Sequence, residues 1–297
     1  MIKENLKQLI QEQVQEDGLF ETGLNGIKLF RATQSIPCAP AVYEPSVIAI
    51  VSGSKEALLD SERHIYDASR YLCCPMSMPV NAGTPASSPQ NPLLGVYISL
   101  NPRVMGELAM EMDNITGHAP TISQTPPTQG IRFARWDEDF SEALFRLVQL
   151  AQSQMDMAVL GEARIRELYY AILKGDAGLF AKQAFGAGNA MARAIKHVSS
   201  NLETPISIDD MAKHAGMSRA VFHRKFKKAT SMSPIQFVKS MRLNNAAMNI
   251  AGGMNVNEAA LDVGYVSSSQ FSREFKRMYG QSPKQWGEAQ HQLMSMS

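Results

Sequence analysis

The chain has 297 residues, 44% of them hydrophobic and 19% charged, a composition that suits about two globular domains and excludes wholesale disorder. The net charge of +1 hides an asymmetry, because residues from Gly186 onward hold 14 basic and 7 acidic side chains and the first 185 residues hold 15 and 21. This predicts a basic module for a polyanion, joined to an acidic module with another task. Since no signal peptide or membrane span is visible, we expect a cytoplasmic protein without membrane association.

The first hundred residues predict one short helix followed by many short strands. Apolar residues recur on one helical face over Met1–Glu16. Short runs of Val, Ile, Tyr and Leu then alternate with Pro and Gly, a pattern of strands joined by turns. The predicted strands are Ile27–Arg31, Ser46–Ser52, Ala57–Leu59, His64–Ala68, Tyr71–Cys74 and Leu93–Leu100. Strands of this spacing are typical of a small barrel or sandwich.

The middle of the chain is predicted to be helical. A helix is expected over Pro102–Met112, a loop over Ile115–Gly130, and two helices within Asp137–Lys174 that meet near Met157–Gly161. The apolar faces of these two helices could pack on the barrel or form a subunit interface, and the sequence leaves both open. Glycines in Gly175–Gly188 predict the linker between the domains.

Candidate catalytic and metal-binding residues are few. The cysteines Cys38, Cys73 and Cys74 are interpreted as buried, unpaired thiols, with a redox or ligand-reactive role as the weaker alternative. His64 and His118 are isolated, so both are interpreted as structural, and no metal or cofactor is predicted. No glycine-rich phosphate loop, paired-histidine motif or Gly-x-Ser-x-Gly elbow is present, and three cysteines are too few for a four-cysteine zinc site. We therefore expect no enzyme.

The last hundred residues contain an internal repeat. At an offset of 49 residues, Ser218, Phe222, Arg224, Phe226, Lys227 and Lys228 match Ser267, Phe271, Arg273, Phe275, Lys276 and Arg277. Upstream the offset is 48, with Gly216 matching Gly264, so the second copy has one extra residue in its turn. Each copy reads as a helix, a glycine turn and a second helix, the helix-turn-helix arrangement whose second helix enters the DNA major groove.

The expected helix starts and DNA-contacting residues follow from this repeat. The predicted N-caps are Ser207, Ser218, Ser233, Asn255, Ser267 and Ser282. Because the phenylalanines face inward, the residues predicted to contact DNA are Ser218, Arg219, Ala220, His223, Arg224 and Lys227 in the first unit and Ser267, Ser268, Ser269, Gln270, Arg273 and Lys276 in the second. Arginine pairs with guanine and glutamine with adenine, whereas the later lysines suit phosphates. A merely solvated basic face is the alternative.

A helix from Pro234 to about Ile250 is predicted between the two units. At 1.5 Å per residue it is about 25 Å long. This length could hold the two recognition helices roughly one DNA turn apart, so that one polypeptide reads two adjacent major grooves.

These residues resemble the AraC/XylS family of bacterial transcription regulators over about Ala190–Trp286. The motif with the most family-specific residues is Val263-Gly264-Tyr265, Ser267, Gln270, Phe271, Arg273, Phe275, Lys276 and Gly280-Gln281-Ser282-Pro283. The resemblance implies base reading by Ala220, His223, Arg224, Ser268, Ser269, Gln270 and Arg273. Ser231 departs from the pattern, since the family commonly has glycine there, which puts the exit turn of the first unit in question.

The N-terminal region resembles the cupin-like sensing domains attached to this family, on the residues Tyr43-Glu44-Pro45-Ser46, Gly53-Ser54-Lys55 and Tyr71-Leu72. That resemblance implies a small-molecule effector in the barrel and dimerisation through the helices that follow it. A regulator without a ligand, whose N-terminal domain serves only dimerisation or polymerase contact, is the alternative.

The combined prediction is an α+β protein. It has an N-terminal cupin-like β-barrel with flanking helices, residues 1–180, and a C-terminal all-α domain of two helix-turn-helix units, residues 188–290. The predicted function is sequence-specific regulation of transcription. The expected partners are double-stranded promoter DNA, a small-molecule effector, RNA polymerase and a second copy of the chain.

Overall fold

The computed structural model describes residues 2–59, 62–116, 130–186 and 190–295. The chain forms two compact units. The first unit contains residues 1–38, 44–76 and 83–189, and the second contains residues 39–43, 77–82 and 190–297. The second unit thus includes two short strand segments from the N-terminal part of the sequence.

The strands form two antiparallel sheets. Their bounds are β1 Gly18–Glu21, β2 Ile27–Ala32, β3 Ile36–Tyr43, β4 Ser46–Ser52, β5 Ser54–Leu59, β6 Glu62–Asp67, β7 Arg70–Cys74, β8 Met78–Thr84, β9 Leu93–Ser99 and β10 Arg132–Arg135. One sheet has the order β1-β2-β9-β4-β7-β10 and the other β3-β8-β5-β6. All six strands predicted from the sequence are present, whereas β1, β3, β8 and β10 were not predicted.

The centre of the larger sheet is apolar on both faces. β4 pairs with β7 and β9, with Ile48 opposite both Leu72 and Tyr97, and its residues Ser46–Val51 are all buried. A strand buried on both sides reads as a continuous apolar run, which explains why β4 is easy to recognise. On the neighbouring strand a Cβ at Gly95 would lie 2.5 Å from the Ala49 carbonyl oxygen, so only glycine fits there.

Five α-helices accompany the sheets in the described part of the first unit. They are α1 Ile2–Gln13, α2 Pro102–Thr116, α3 Glu138–Gln149, α4 Gln154–Lys174 and α5 Gly178–Phe185. The break between α3 and α4 lies at Leu150–Ser153, not near Met157–Gly161, because Ser153 is extended and its hydroxyl caps α4 by accepting from the Asp156 N–H. The predicted linker Gly175–Gly188 contains α5. Most of the predicted loop Ile115–Gly130, including His118, lies outside the described residues, while its first two residues end α2.

The second unit is mainly helical. Its helices are α6 Ala190–Ser199, α7 Ile208–His214, α8 Arg219–Thr230, α9 Pro234–Ala251, α10 Val256–Asp262, α11 Ser268–Tyr279 and α12 Pro283–Ser295. One cluster of its core consists of apolar residues from α9, α10, α11 and α12 together with the turn residues between α10 and α11. The predicted α+β class, with an N-terminal part built on two sheets with flanking helices and a C-terminal part of helix-turn-helix units, is confirmed.

The cysteines of the first unit differ in burial: Cys73 and Cys74 are buried, as predicted, whereas Cys38 is only partly buried, so the prediction is wrong for Cys38. Burial raises the pKa of Cys73 to about 12 and also raises the pKa of Cys74, which makes both thiols poor nucleophiles. His64 stacks on Phe133 with 5.1 Å between ring centroids. Within the described ranges, no cluster of three or more His, Cys, Asp or Glu residues suited to a metal ion is found. Over the same residues, none of the helices is long and apolar enough to span a bilayer.

Candidate nucleic-acid interface

The two repeats form two helix-turn-helix units of the same dimensions. α7 and α10 have 7 residues each, and α8 and α11 have 12 each. Gly216 and Gly264 end the first helices with φ values of +65° and +81°, the left-handed conformation that glycine adopts without cost. The backbone N–H of the residue after each glycine closes the turn. Met217 donates to the Ala212 carbonyl oxygen, and Tyr265 to that of Ala260, both at 2.9 Å. The units therefore share one turn geometry, and the extra residue of the second follows it.

Most of the predicted N-caps form the expected hydrogen bonds. The hydroxyl or amide oxygens of Ser207, Asn255, Ser267 and Ser282 accept from the backbone N–H three residues later, and Ser233 with Gln236 forms a complete capping box. Ser218 occupies the N-cap position of α8 without a side-chain hydrogen bond to the helix. The prediction for Ser218 as a capping side chain is therefore wrong, and its hydroxyl lies exposed at the start of α8.

The exits of the two recognition helices differ in one residue type. α11 ends at Gly280 with φ +76°, and α8 ends at the matching Ser231 with φ +61°. Ser231 is the only non-glycine residue with positive φ in the described chain. The left-handed backbone conformation at the end of the recognition helix is thus present in both helix-turn-helix units. In the first of them a serine adopts it, at a steric cost.

Buried aromatic rings hold the two recognition helices in place. Phe222 and Phe226 of α8 are fully buried, and Phe226 packs edge-on against Phe237 of α9 at 5.2 Å between centroids. Phe271 and Phe275 are the matching buried residues of α11. Because these rings occupy one face of each helix, the opposite face is presented to solvent.

The residues predicted to contact DNA lie on those open faces. All twelve of them are exposed: Ser218, Arg219, Ala220, His223, Arg224 and Lys227 on the first unit, and Ser267, Ser268, Ser269, Gln270, Arg273 and Lys276 on the second. Each set is brought together at the first turns and outer face of one helix. Their role in binding DNA stays a prediction.

The two recognition helices carry different charge. α8 contains five basic and no acidic residues, whereas α11 contains three basic residues and Glu274. Within the described chain, Arg224, Lys227, Arg273 and Lys276 form no ion pair with a carboxylate. These four cations are therefore available to an anionic partner.

Glu274 is held by three side chains of the second unit. It accepts hydrogen bonds from Tyr265 Oη at 2.8 Å, from Lys239 Nζ at 2.9 Å and from Gln270 Nε2 at 3.5 Å. Burial would raise the pKa of Glu274, but these hydrogen bonds outweigh it and lower the pKa below the ordinary value. The carboxylate therefore orients Gln270, one of the predicted base-reading residues.

Two residues beside the predicted contacts were not singled out from the sequence. Lys225 is exposed on α8 beside the predicted set. Asp209 of α7 accepts a hydrogen bond from Arg219 at 3.1 Å. The spacing of Asp209 and Arg219, ten residues apart across a turn, carries no periodic signal that would have revealed this pair.

Comparisons with known proteins agree with the geometry of both units. A family described as the AraC-type transcriptional regulator N-terminus matches residues 23–179, and a helix-turn-helix domain family matches residues 211–289. The chain is 37% identical over 97 residues to the HTH-type transcriptional regulator MtrA of Neisseria gonorrhoeae, covering 32% of either protein. It is 29% identical over 93 residues to the regulatory protein SoxS of Salmonella typhimurium, covering 31% of this chain and 87% of SoxS.

The similarity to curated relatives covers only part of their length, whereas the structural match extends over most of the chain. The chain spans between 32% and 55% of the length of MtrA, of YkgA from Escherichia coli and of ArgR from Pseudomonas aeruginosa. The crystal structure of ToxT from Vibrio cholerae with a bound unsaturated fatty acid has the same fold, with a TM-score of 0.60 and 11% identity over 92% of this chain and 97% of ToxT. Because the N-terminal family match alone covers more than half of the chain, the protein belongs to the AraC-type transcriptional regulators.

Proposed function

We propose that the protein regulates transcription by binding promoter DNA with α8 and α11. The observation that carries the proposal is the pair of matched recognition helices, each with two buried phenylalanines on one face and polar or cationic residues on the other. α9 has 18 residues, which corresponds to about 27 Å of helix. This length supports the placement of α8 and α11 in successive major grooves on one side of the duplex.

The two helices are proposed to contribute differently to binding. The five cations of α8 favour phosphate contacts and guanine reading by Arg224. The start of α11 is neutral, and its exposed Ser268, Ser269 and Gln270 suit adenine and thymine edges. Affinity would therefore depend more on α8, and much of the sequence preference on α11.

We further propose that a small-molecule effector controls how much promoter DNA the protein occupies. The effector would bind in the sheet-containing N-terminal unit, and RNA polymerase would be the partner at the promoter. ToxT, which has this fold, was crystallised with an unsaturated fatty acid, so fatty acids are the first effector class to test. The effector must bind the two DNA-affinity states unequally. Equal operator affinity with and without oleate would exclude this class, and equal affinity across a panel of metabolites would favour the ligand-independent alternative.

A second copy of the chain is the remaining proposed partner. Met155, Val159 and Tyr170 lie on one face of α4 and are 74%, 70% and 45% exposed. Apolar residues repeated on one exposed helical face suit a subunit interface. This face differs from the apolar face considered in the sequence, whose Leu168 and Ile172 are buried within the first unit. The exposed face supports dimerisation through α4.

DNA binding is tested with the full-length protein and duplexes selected from a random-sequence pool. We expect Arg224→Ala and Arg273→Ala each to weaken binding to the selected operator by about 1 to 3 kcal/mol, with a smaller loss on random DNA. Arg103→Ala is the matched control, because Arg103 is an exposed arginine on α2 whose ion-pair partner is Glu107. Failure of the wild-type protein to enrich any sequence at physiological salt would overturn the proposal.

A further inference from the structure

Asn244 is a buried side chain at the middle of α9 whose carboxamide is fully hydrogen bonded. It is 2% exposed. Its Nδ2 donates to the carbonyl oxygens of Ala41 at 2.8 Å and Val80 at 2.9 Å, and its Oδ1 accepts from Tyr279 Oη at 2.6 Å. One side chain thus joins α9, α11 and the two strand segments of the second unit.

The chemistry of these contacts suits a carboxamide alone. Two carbonyl oxygens require two donors on one nitrogen, and the tyrosine hydroxyl requires an acceptor beside it. A carboxylate at this position would face two carbonyl oxygens without a proton to donate. An aliphatic side chain would leave all three partners unsatisfied in the interior, which is costly because they are shielded from water.

The contact with Tyr279 reaches the second recognition helix, because Tyr279 is the last residue of α11. Its ring lies 4.6 Å from Phe275 and 5.8 Å from Trp286, measured between centroids. Trp286 in turn donates from Nε1 to the Ala247 carbonyl of α9 at 3.0 Å. The end of α11 is therefore attached to α9 by aromatic packing and by the Tyr279–Asn244 hydrogen bond.

Among the described residues, the end of the first recognition helix has no equivalent side-chain hydrogen bond to α9. Thr230 occupies the position of α8 that corresponds to Tyr279 at the offset of 49. Its single hydroxyl hydrogen is shared between the carbonyl oxygens of Phe226 at 2.9 Å and Met232 at 3.1 Å, both within or next to its own helix. The end of α8 is closed locally, whereas the end of α11 is held by Asn244, 35 positions away. Asn244 is bonded in turn to carbonyls 164 and 203 positions away along the chain.

We propose that Asn244 is a positioning residue for α11, and that the strand segments 39–43 and 77–82 take part in DNA reading through it. The proposal rests on the proposed function of α11 as a base-reading helix. In this arrangement the carbonyls of Ala41 and Val80 set the orientation of the carboxamide, and the carboxamide sets the end of α11 against α9. Displacement of these strands therefore weakens DNA reading by α11, and operator binding stabilises the strand contact in return.

Three variants of the full-length protein separate the parts of this network. Tyr279→Phe removes only the hydrogen bond to α11, Asn244→Asp removes both donors to the strands, and Asn244→Leu removes all three bonds. Asn245→Leu is the matched control, because Asn245 is the neighbouring residue of α9 and donates to Met241 of the same helix. Thermal unfolding of each variant shows whether it remains folded.

The expected result is a loss of specificity. We expect Tyr279→Phe to lower affinity for the selected operator about tenfold, the size expected for one lost buried hydrogen bond, while affinity for random DNA stays within about twofold. Asn244→Leu, which removes all three bonds, lowers operator affinity at least as much. Asn245→Leu leaves both affinities unchanged. Hydrogen exchange of peptides covering residues 39–43 and 77–82 slows on operator binding in the wild type and in Asn245→Leu, but not in Asn244→Asp.

Other outcomes overturn the proposal. Equal losses on operator and random DNA in Tyr279→Phe, the mildest variant, would reduce the network to a structural role. Unchanged exchange of the strand peptides in the wild type on operator binding would remove the strands from DNA reading. These failures differ from failure of the proposed function, in which the wild-type protein selects no operator.

Discussion

The guanidinium of Arg219 lies 3.1 Å from the carboxylate of Asp209, across the turn between α7 and α8. Both side chains are about two thirds exposed, at 64% and 67%. The second unit has neutral residues at the matching positions, Asn257 and Ser268. Arg219 is a predicted DNA-contacting residue. In the first helix-turn-helix unit, one of the predicted DNA contacts is therefore already paired with a carboxylate of the protein itself.

Asp209→Asn should strengthen binding to random DNA, because Arg219 becomes free to neutralise a phosphate. The slope of log affinity against log salt should become steeper by up to about 0.9, the value for one additional phosphate contact. Protein stability should change by less than about 0.5 kcal/mol, since exposed ion pairs contribute little. Fluorescence anisotropy with a labelled random duplex across a salt series measures the slope. Asp156→Asn on α4 makes the same charge change, and an equal effect there would attribute the result to net charge.

Ser231→Gly should stabilise the C-terminal helical domain, which contains both helix-turn-helix units, by about 0.5 kcal/mol. Glycine adopts positive φ without the steric cost that serine carries. The reciprocal change, Gly280→Ser, should destabilise this domain by about 1 kcal/mol. A Cβ at Gly280 would have no atom within 4 Å, so its cost is conformational only. Urea unfolding followed by Trp286 fluorescence in a Trp136→Phe background reports on this domain. Destabilisation by Ser231→Gly would contradict the strained exit.

Gly264→Ala should be more costly than Gly216→Ala, although both glycines end the first helix of a unit. A Cβ at Gly264 would lie 2.6 Å from the Leu202 carbonyl oxygen and 2.8 Å from that of Glu203, whereas a Cβ at Gly216 meets no atom within 4 Å. We expect a loss of about 1 kcal/mol for Gly216→Ala and about 2 to 4 kcal/mol for Gly264→Ala. The same unfolding assay compares them, and equal losses would show that backbone conformation alone requires these glycines.

Val159→Glu should convert a dimer into monomers, because it places a charge in the exposed apolar face of α4. Light scattering coupled to size exclusion measures the mass. Leu179→Glu is the control, since Leu179 is also exposed, at 69%, but lies on α5 outside that face. A wild-type protein that is monomeric at all accessible concentrations, or a Val159→Glu dimer, would exclude α4 as the interface.

The helix-turn-helix units could be predicted because their signals are local. N-caps, glycine turns and the spacing of buried phenylalanines involve residues at most a few positions apart. The residues matched by the repeat therefore occupy matching places in the two units of the structure. The α3–α4 break was placed incorrectly, although Ser153 followed by Asp156 is a local capping signal that the sequence contains.

The missed strands have a different cause. β3 contains Pro37 and Pro40, and β8 contains Pro79 and Gly83. These residues disfavour strands in an isolated segment and are tolerated only where the tertiary arrangement leaves their positions without a required ladder hydrogen bond. Burial in the sheet, which depends on distant strands, outweighed the local preference.

The two recognition helices, their turns and the side of each helix that faces outward could be predicted from the sequence, because these features depend on neighbours within one or two helical turns. The contacts of Asn244 with Ala41 and Val80, and the pairing of Arg219 with Asp209, are visible only in the folded chain. Such contacts form when segments distant in sequence, or facing each other across a turn, are brought together by packing. No periodic pattern records them, because each depends on the orientation of a single side chain.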